Sequence, residues 1–169
     1  MTIRTTTESD IPALLRIYEA ARRFMRAQGN TMQWSDSYPA ADTVRADMRR
    51  GGSYVCLDDS GEVAATFFFV VGDDPTYSVI HDGAWKNDLP YGVIHRIASN
   101  GSIKRLLHKV LDFCFTRTDV IRIDTHRDNA TMIAGLTAYG FEYCGIIHIA
   151  SGAERKAFMM TKNNKQHIL

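Results

Sequence analysis

The stretch from Ser99 to Leu107 carries residue types suited to gripping an anion. Ser99-Asn100-Gly101-Ser102 reads as a turn, and a strongly periodic helix follows it. The first turn of a helix leaves about four amide N–H groups without intrahelical partners, at the positive end of the helix dipole. A phosphate is favoured there. Gly101 permits close backbone approach, and Lys104 and Arg105 add mobile positive charge. The same residues also suit a plain helix cap with a solvated basic face, and taken alone they leave both readings open. The chain has no Walker pattern and no GxGxxG, so the common nucleoside triphosphate and dinucleotide sites lack support.

Other reactive side chains are sparse. Cys56, Cys114 and Cys144 form no CxxC pair, which suits reduced, buried thiols in a cytoplasmic protein. His81, His108, His148 and His167 share no ligand spacing, and a zinc site needs three or four convergent donors, so no metal is expected. His95 lies on the central strand and His126 just past the end of the next one, where either a titrating base or a hydrogen-bonded structural histidine fits.

The elements that must position these residues follow from periodicity. Ile3–Thr6 opens a strand, and Thr7-Glu8-Ser9-Asp10 with Pro12 starts a helix over 10–27, marked by Ile11, Leu14, Leu15, Tyr18 and Met25. A second helix is predicted over 41–50. Ser53–Leu57 and Glu62–Val71 form a hairpin around Asp58-Asp59-Ser60-Gly61. The segment 72–90 gives no clear pattern. Tyr91–Ala98 is a strand. Ile103, Leu106, Leu107, Val110, Leu111 and Cys114 then recur at helical spacing, which predicts a helix over 103–116. Val120–Thr125 is a strand, Asp128 or Asn129 caps a helix ending at Gly140, and Phe141–Ile149 and Arg155–Thr161 are closing strands. The strand–helix–strand unit from 91 to 125 places its two strands parallel. One α/β (α+β) domain over 1–161 with a polar tail at 162–169 is expected.

Composition narrows the function. Twenty Lys and Arg stand against 19 Asp and Glu, a net charge of +1, so a dedicated nucleic-acid binder is disfavoured. Hydrophobic residues at 45% and charged residues at 23% indicate a globular chain. No apolar run approaches the roughly 20 residues of a membrane-spanning helix, and the N-terminus lacks a signal-peptide pattern.

Several segments together resemble the GNAT superfamily of acetyl-CoA-dependent N-acetyltransferases. They are Ile94-His95-Arg96-Ile97-Ala98-Ser99, the amphipathic helix after it, Ile121-Arg122-Ile123-Asp124-Thr125-His126-Arg127-Asp128-Asn129, and Tyr139-Gly140-Phe141-Glu142-Tyr143-Cys144-Gly145. Asn129 to Phe141, thirteen residues inclusive, matches the spacing of that superfamily, and so does the order of elements. The resemblance implies a mixed, mostly antiparallel sheet flanked by helices, with a splayed parallel strand pair. It implies acetyl-CoA as co-substrate and direct attack by a primary amine of a small molecule or peptide. Main-chain groups of Ile97, Ala98 and Ser99 would pair with pantetheine. Amides of Ser102, Ile103, Lys104, Arg105, Leu106 and Leu107 would hold the pyrophosphate, and Asn129 would bond the pantetheine or its neighbouring backbone. His95 or His126 would serve as base, while Trp34, Tyr38 and Trp85 would wall the acceptor pocket.

Two departures stand out. The superfamily's phosphate loop, Gln/Arg-x-x-Gly-x-Gly/Ala, falls on Ser102 to Leu107, so Arg105 replaces the first glycine. Its frequent general-acid tyrosine falls on Leu136, seven residues after Asn129. Tyr139 is expected to pack against the sheet, and Asp124 to tie to a turn or to Arg122. A second reading, motivated by these departures, is a catalytically weak or inactive acyl-CoA-binding or interaction domain. A third is a relic that binds no CoA. Long strands at 141–161 also suit edge pairing in a homodimer.

Overall fold

A computed structural model describes residues 1–162. The expected tail at 162–169 therefore lies outside the described residues except for Lys162. The elements are β1 (Thr2–Thr5), α1 (Ile11–Ala27), α2 (Ala41–Arg49), β2 (Ser53–Leu57), β3 (Val63–Val71), β4 (Gly92–Ser99), α3 (Leu106–Cys114), β5 (Val120–Thr125), α4 (Ala130–Tyr139), β6 (Glu142–His148) and β7 (Glu154–Thr161). Short 3-10 turns at Glu8–Asp10 and Pro75–Tyr77 complete the set. Seven strands make one mixed sheet in the order β1-β2-β3-β4-β5-β7-β6, with β4 and β5 the parallel pair and four helices flanking it. The chain divides into two compact units, one of Met1–Val70 with Ile94–Leu106, the other of Val71–Val93 with the chain from Leu107 onward.

In the first unit β1, β2 and β3 form an antiparallel meander, with Thr2 opposite Leu57 and Ser53 opposite Phe68. Asp58 shapes the β2–β3 turn, its Oδ1 accepting from the amides of Ser60 and Glu62. The core joins Ile11, Leu14, Ile17 and Tyr18 of α1 to Val44 of α2, Val55 of β2 and Ala98 of β4. Leu15, expected inside, is 36% exposed, and Ile17 takes its place. At 3.6 residues per turn Leu15 lies about 90° from the middle of the buried stripe, at its border.

In the second unit β7 sits between β5 and β6, antiparallel to both, pairing Val120 with Thr161 and His148 with Glu154. Its core gathers Tyr77, Tyr91, Val93, Val120, Cys144, Ile147, Ala157 and Met159. The segment 72–90, which gave no sequence pattern, is held by its backbone. His81 exchanges two hydrogen bonds of 2.8 Å with Ile146. Gly145 has φ +143°, and a Cβ there would lie 2.5 Å from the His81 carbonyl oxygen, so only glycine fits this approach. Helices α3 and α4 meet closely, since a Cβ at Gly135 would lie 2.7 Å from Leu107 Cδ2. No helix among the described residues is long and apolar enough to cross a membrane.

The entry to α1 is fastened electrostatically. Arg4 forks onto Asp10 at 2.7 and 2.9 Å, and the Thr7 amide donates to the same carboxylate at 2.8 Å. The Arg4 guanidinium, with the Thr7 donors, outweighs burial and holds the Asp10 carboxyl down at about 2. The folded pKa is below the unfolded value of about 3.9, so this stabilisation is complete above about pH 4 and is lost as pH falls through about 2. Asp10→Asn should destabilise the protein at pH 7 by about 2 kcal/mol. The gap to the parent protein should close between about pH 4 and 2, which urea unfolding across that range will measure.

Candidate functional site

Strand β4 is irregular in its middle. Arg96 has φ +55°, the left-handed region, which L-residues with a Cβ enter at a cost of roughly 1–2 kcal/mol. Its guanidinium forks onto buried Asp47 of α2, with Nε and Nη2 donating at 2.9 and 2.6 Å, and Nη1 donates to the Tyr38 hydroxyl at 3.1 Å. Burial pushes the Asp47 carboxyl up, against the opposing pull of Arg96. The Phe68 ring lies beneath this pair, 5.0 Å from the Arg96 guanidinium carbon and 4.6 Å from that of Arg50. The His95 ring is stacked on the same phenyl at 6.0 Å.

An aromatic wall continues from Tyr38. Trp34 meets Tyr38 edge-on at 6.2 Å and Tyr18 at 5.7 Å. Burial pushes the Tyr18 hydroxyl up to about 12. Trp34 and Tyr38, both expected at an acceptor pocket, thus stand together, and the Tyr38 hydroxyl joins them to Arg96. The carboxylates of the same region are neutralised locally, Glu19 by Arg23 and Asp36 by Arg26.

The loop after β4 is built from local caps. The Ser99 hydroxyl accepts from the Gly101 amide and Asn100 Oδ1 from the Ser102 amide, both at 2.9 Å. The Asn100 amide donates to the Ala64 carbonyl at 3.0 Å. Among the described residues the amides of Ile103, Lys104 and Arg105 donate no hydrogen bond. Arg105 has φ +54°. A left-handed residue cannot continue a helix, so α3 begins at Leu106 rather than at the predicted 103. The sequence resemblance places Arg105 at the first glycine of a phosphate loop, and its backbone takes a conformation that favours glycine. Ile103 is buried, Lys104 and Arg105 are exposed, and Leu106 and Leu107 are half-buried.

The remaining candidates lie in the second unit. Asn129 caps α4, its Oδ1 accepting from the Met132 amide at 3.2 Å while Nδ2 donates to Thr125 Oγ1 at 3.0 Å. Leu136 is fully buried. Tyr139, expected against the sheet, donates its hydroxyl to Asp112 of α3 at 2.7 Å and stacks on Phe115. Asp124, expected at a turn or Arg122, instead accepts from buried Tyr77 at 2.7 Å. Trp85 donates to the Tyr77 carbonyl at 3.0 Å and packs on the core, with the Arg122 guanidinium carbon 4.4 Å above its ring. All three cysteines are buried, and burial pushes the Cys56 thiol up to about 12. Among the described residues no group of three or more His, Cys, Asp or Glu is placed to hold a metal.

Sequence reasoning missed the Asp47–Arg96 pair. One signal was available: Asp47 follows Val44 by three residues on the face of α2 that turns inward. The left-handed backbone at Arg96 left no trace in the sequence.

His126 illustrates how position sets protonation. Its Nδ1 accepts from the Asp128 amide at 3.2 Å, which leaves the hydrogen of the neutral ring on Nε2. Burial, then Arg155, lowers its pKa below the ordinary 6.5, while Asp128 pulls the other way. An NMR titration should place its midpoint below about 6.5, and Asp128→Asn should lower it further.

Comparison with known proteins bears on the fold. No family model matches the sequence, and no curated protein matches it. Solved structures do. A GNAT-family acetyltransferase from Streptococcus agalactiae 2603 is 28% identical, with TM-score 0.85 and 95% of each chain covered. A ribosomal-protein-alanine N-acetyltransferase from Brucella melitensis is 20% identical, with TM-score 0.60, over 95% of this chain and 99% of the other. AAC(6')-Ib, solved with ribostamycin and coenzyme A, is 17% identical, with TM-score 0.65, over 99% of this chain and 96% of the other. The strand order, the parallel β4–β5 pair and these likenesses agree: this chain has the fold of the GNAT superfamily of N-acetyltransferases.

Proposed function

We propose that the protein is a single-domain N-acetyltransferase that moves the acetyl group of acetyl-CoA to a primary amine of a small molecule. One observation carries this reading: the three consecutive amides of Ile103, Lys104 and Arg105, unpartnered among the described residues, in a loop whose backbone is left-handed at the superfamily's glycine position. Such a loop ahead of a helix suits a diphosphate. The fold supports it, and AAC(6')-Ib, with the same fold, is also solved with acetyl-CoA.

Roles follow for the chain's own residues. Main-chain groups of Ile97, Ala98 and Ser99 pair with pantetheine. Of the amides from Ser102 to Leu107, those of Ile103, Lys104 and Arg105 face the pyrophosphate, since Asn100 holds that of Ser102, with the Arg105 guanidinium as a clamp, and Asn129 fixes the start of α4. Trp34 and Tyr38 wall the acceptor, and Trp85 steadies the segment 72–90. The amine must lose a proton before it attacks, and His95, half-buried against Phe68, is the candidate to take it through water. The nitrogen then bonds to the thioester carbonyl carbon, the C–S bond breaks, and the thiolate regains a proton. Leu136 has no proton to give and Tyr139 is tied to Asp112, so water returns it. Holding both reactants in line supplies much of the rate.

The second reading, an acyl-CoA-binding domain with little turnover, is favoured by the same Leu136 and by arginine in place of glycine at position 105. Calorimetric titration with CoA and a thiol-release assay over small amines separate the two. CoA binding with acetyl-dependent thiol release supports the transferase; binding without release supports the second reading. Arg105→Gly should weaken CoA about tenfold by removing a charge-assisted contact to phosphate. Tighter binding by that variant would mean that the side chain obstructs the loop.

A further inference from the structure

Consecutive residues of a regular strand point to opposite faces of the sheet. In β4, His95 and Arg96 are consecutive, yet both reach the ring of Phe68, at 6.0 and 5.0 Å. The burial pattern agrees, since Gly92, Val93 and Ile94 are buried in succession and His95, Arg96 and Ile97 are half-buried in succession, with no alternation. The strand is therefore kinked at Arg96, whose φ is +55°. That conformation carries a free-energy cost for an arginine. Three hydrogen bonds hold it here, two to Asp47 and one to the Tyr38 hydroxyl. The side chains of Arg96 and Asp47 are only 14% and 7% exposed. A buried ion pair is a poor source of stability compared with apolar residues of similar size, so its value lies in the geometry it imposes.

We infer that Asp47 and Arg96 are positioning residues: their ion pair clamps the kink in β4 and so aims the peptide groups of Ile97, Ala98 and Ser99 that receive the pantetheine chain. Both side chains act through the backbone they hold. The bond to Tyr38 ties the aromatic acceptor wall to the same clamp, so strand and wall are set by one interaction. This inference rests on the acetyl-CoA reading of β4.

A cycle of variants tests it, with CoA affinity measured by calorimetry and thermal unfolding recorded for each protein. Asp47→Asn removes the charge that holds Arg96 and should weaken CoA about tenfold, the scale of a left-handed non-glycine residue left without support. Adding Arg96→Gly to it removes the orphaned guanidinium and puts glycine where φ is +55°. The double variant D47N/R96G should recover CoA affinity to within about threefold of the parent protein, because glycine adopts that conformation without a clamp. Such rescue is not expected of a merely stabilising ion pair. The double variant buries no unpaired charge, so it keeps the test open if Asp47→Asn alone fails to fold. Asp47→Asn that melts lower but binds CoA normally overturns the inference, as does a double variant that stays tenfold weak. A parent protein that binds no CoA overturns the acetyl-CoA reading itself, an outcome seen before any variant is made.

Discussion

A left-handed kink at one arginine organises the first unit. Arg96 is costly in its backbone and expensive in its burial, and the fork onto Asp47 answers both. From that fork the rest of the region can be traced. Asp47 sits on the inward face of α2, so the helix is locked to β4. Tyr38 receives the third hydrogen bond, which draws the α1–α2 connection and Trp34 to the same place. Phe68 supplies the apolar floor on which two guanidinium groups and one imidazole rest. Cation–π contacts of this kind let arginine stay near an apolar surface without full hydration.

The loop after β4 solves a related problem by other means. Its first amides are satisfied by Ser99 and Asn100, short side chains that bond back to the main chain two residues on. Arg105 then turns left-handed and delays the helix. Two arginines in conformations that favour glycine, one in the strand and one in the loop, mark the stretch where geometry has been kept at the expense of local stability. The second unit shows the opposite economy. There glycine is used where backbones nearly touch, as at Gly145 beside His81, and aromatic rings close over a buried arginine that has no carboxylate partner among the described residues.

Much of this was legible in the chain itself. The order of strands and helices follows from hydrophobic periodicity, and the hairpin at 58–61, an α4 cap at Asp128 or Asn129 and the stop at Gly140 follow from turn chemistry, the structure choosing Asn129. These are local preferences, set by neighbours within about one turn or one strand pair. The turn at Ser99 to Ser102 and the basic pair Lys104 and Arg105 ahead of a helix were legible too, because they are properties of near neighbours in the chain. Leu15, the start of α3 and the partner of Tyr139 were not. Each depends on which face of an element another element happens to cover.

Residue order alone thus determined the elements and their sequence, since each arises from interactions between near neighbours. Only the folded chain decided that Arg96 would turn left-handed, that Asp47 would hold it, and that Tyr77 rather than Arg122 would bond Asp124. Those pairings join residues 47 to 49 positions apart. No local preference encodes such a contact; it forms because burial sets a high cost on a charged or polar group left without a partner.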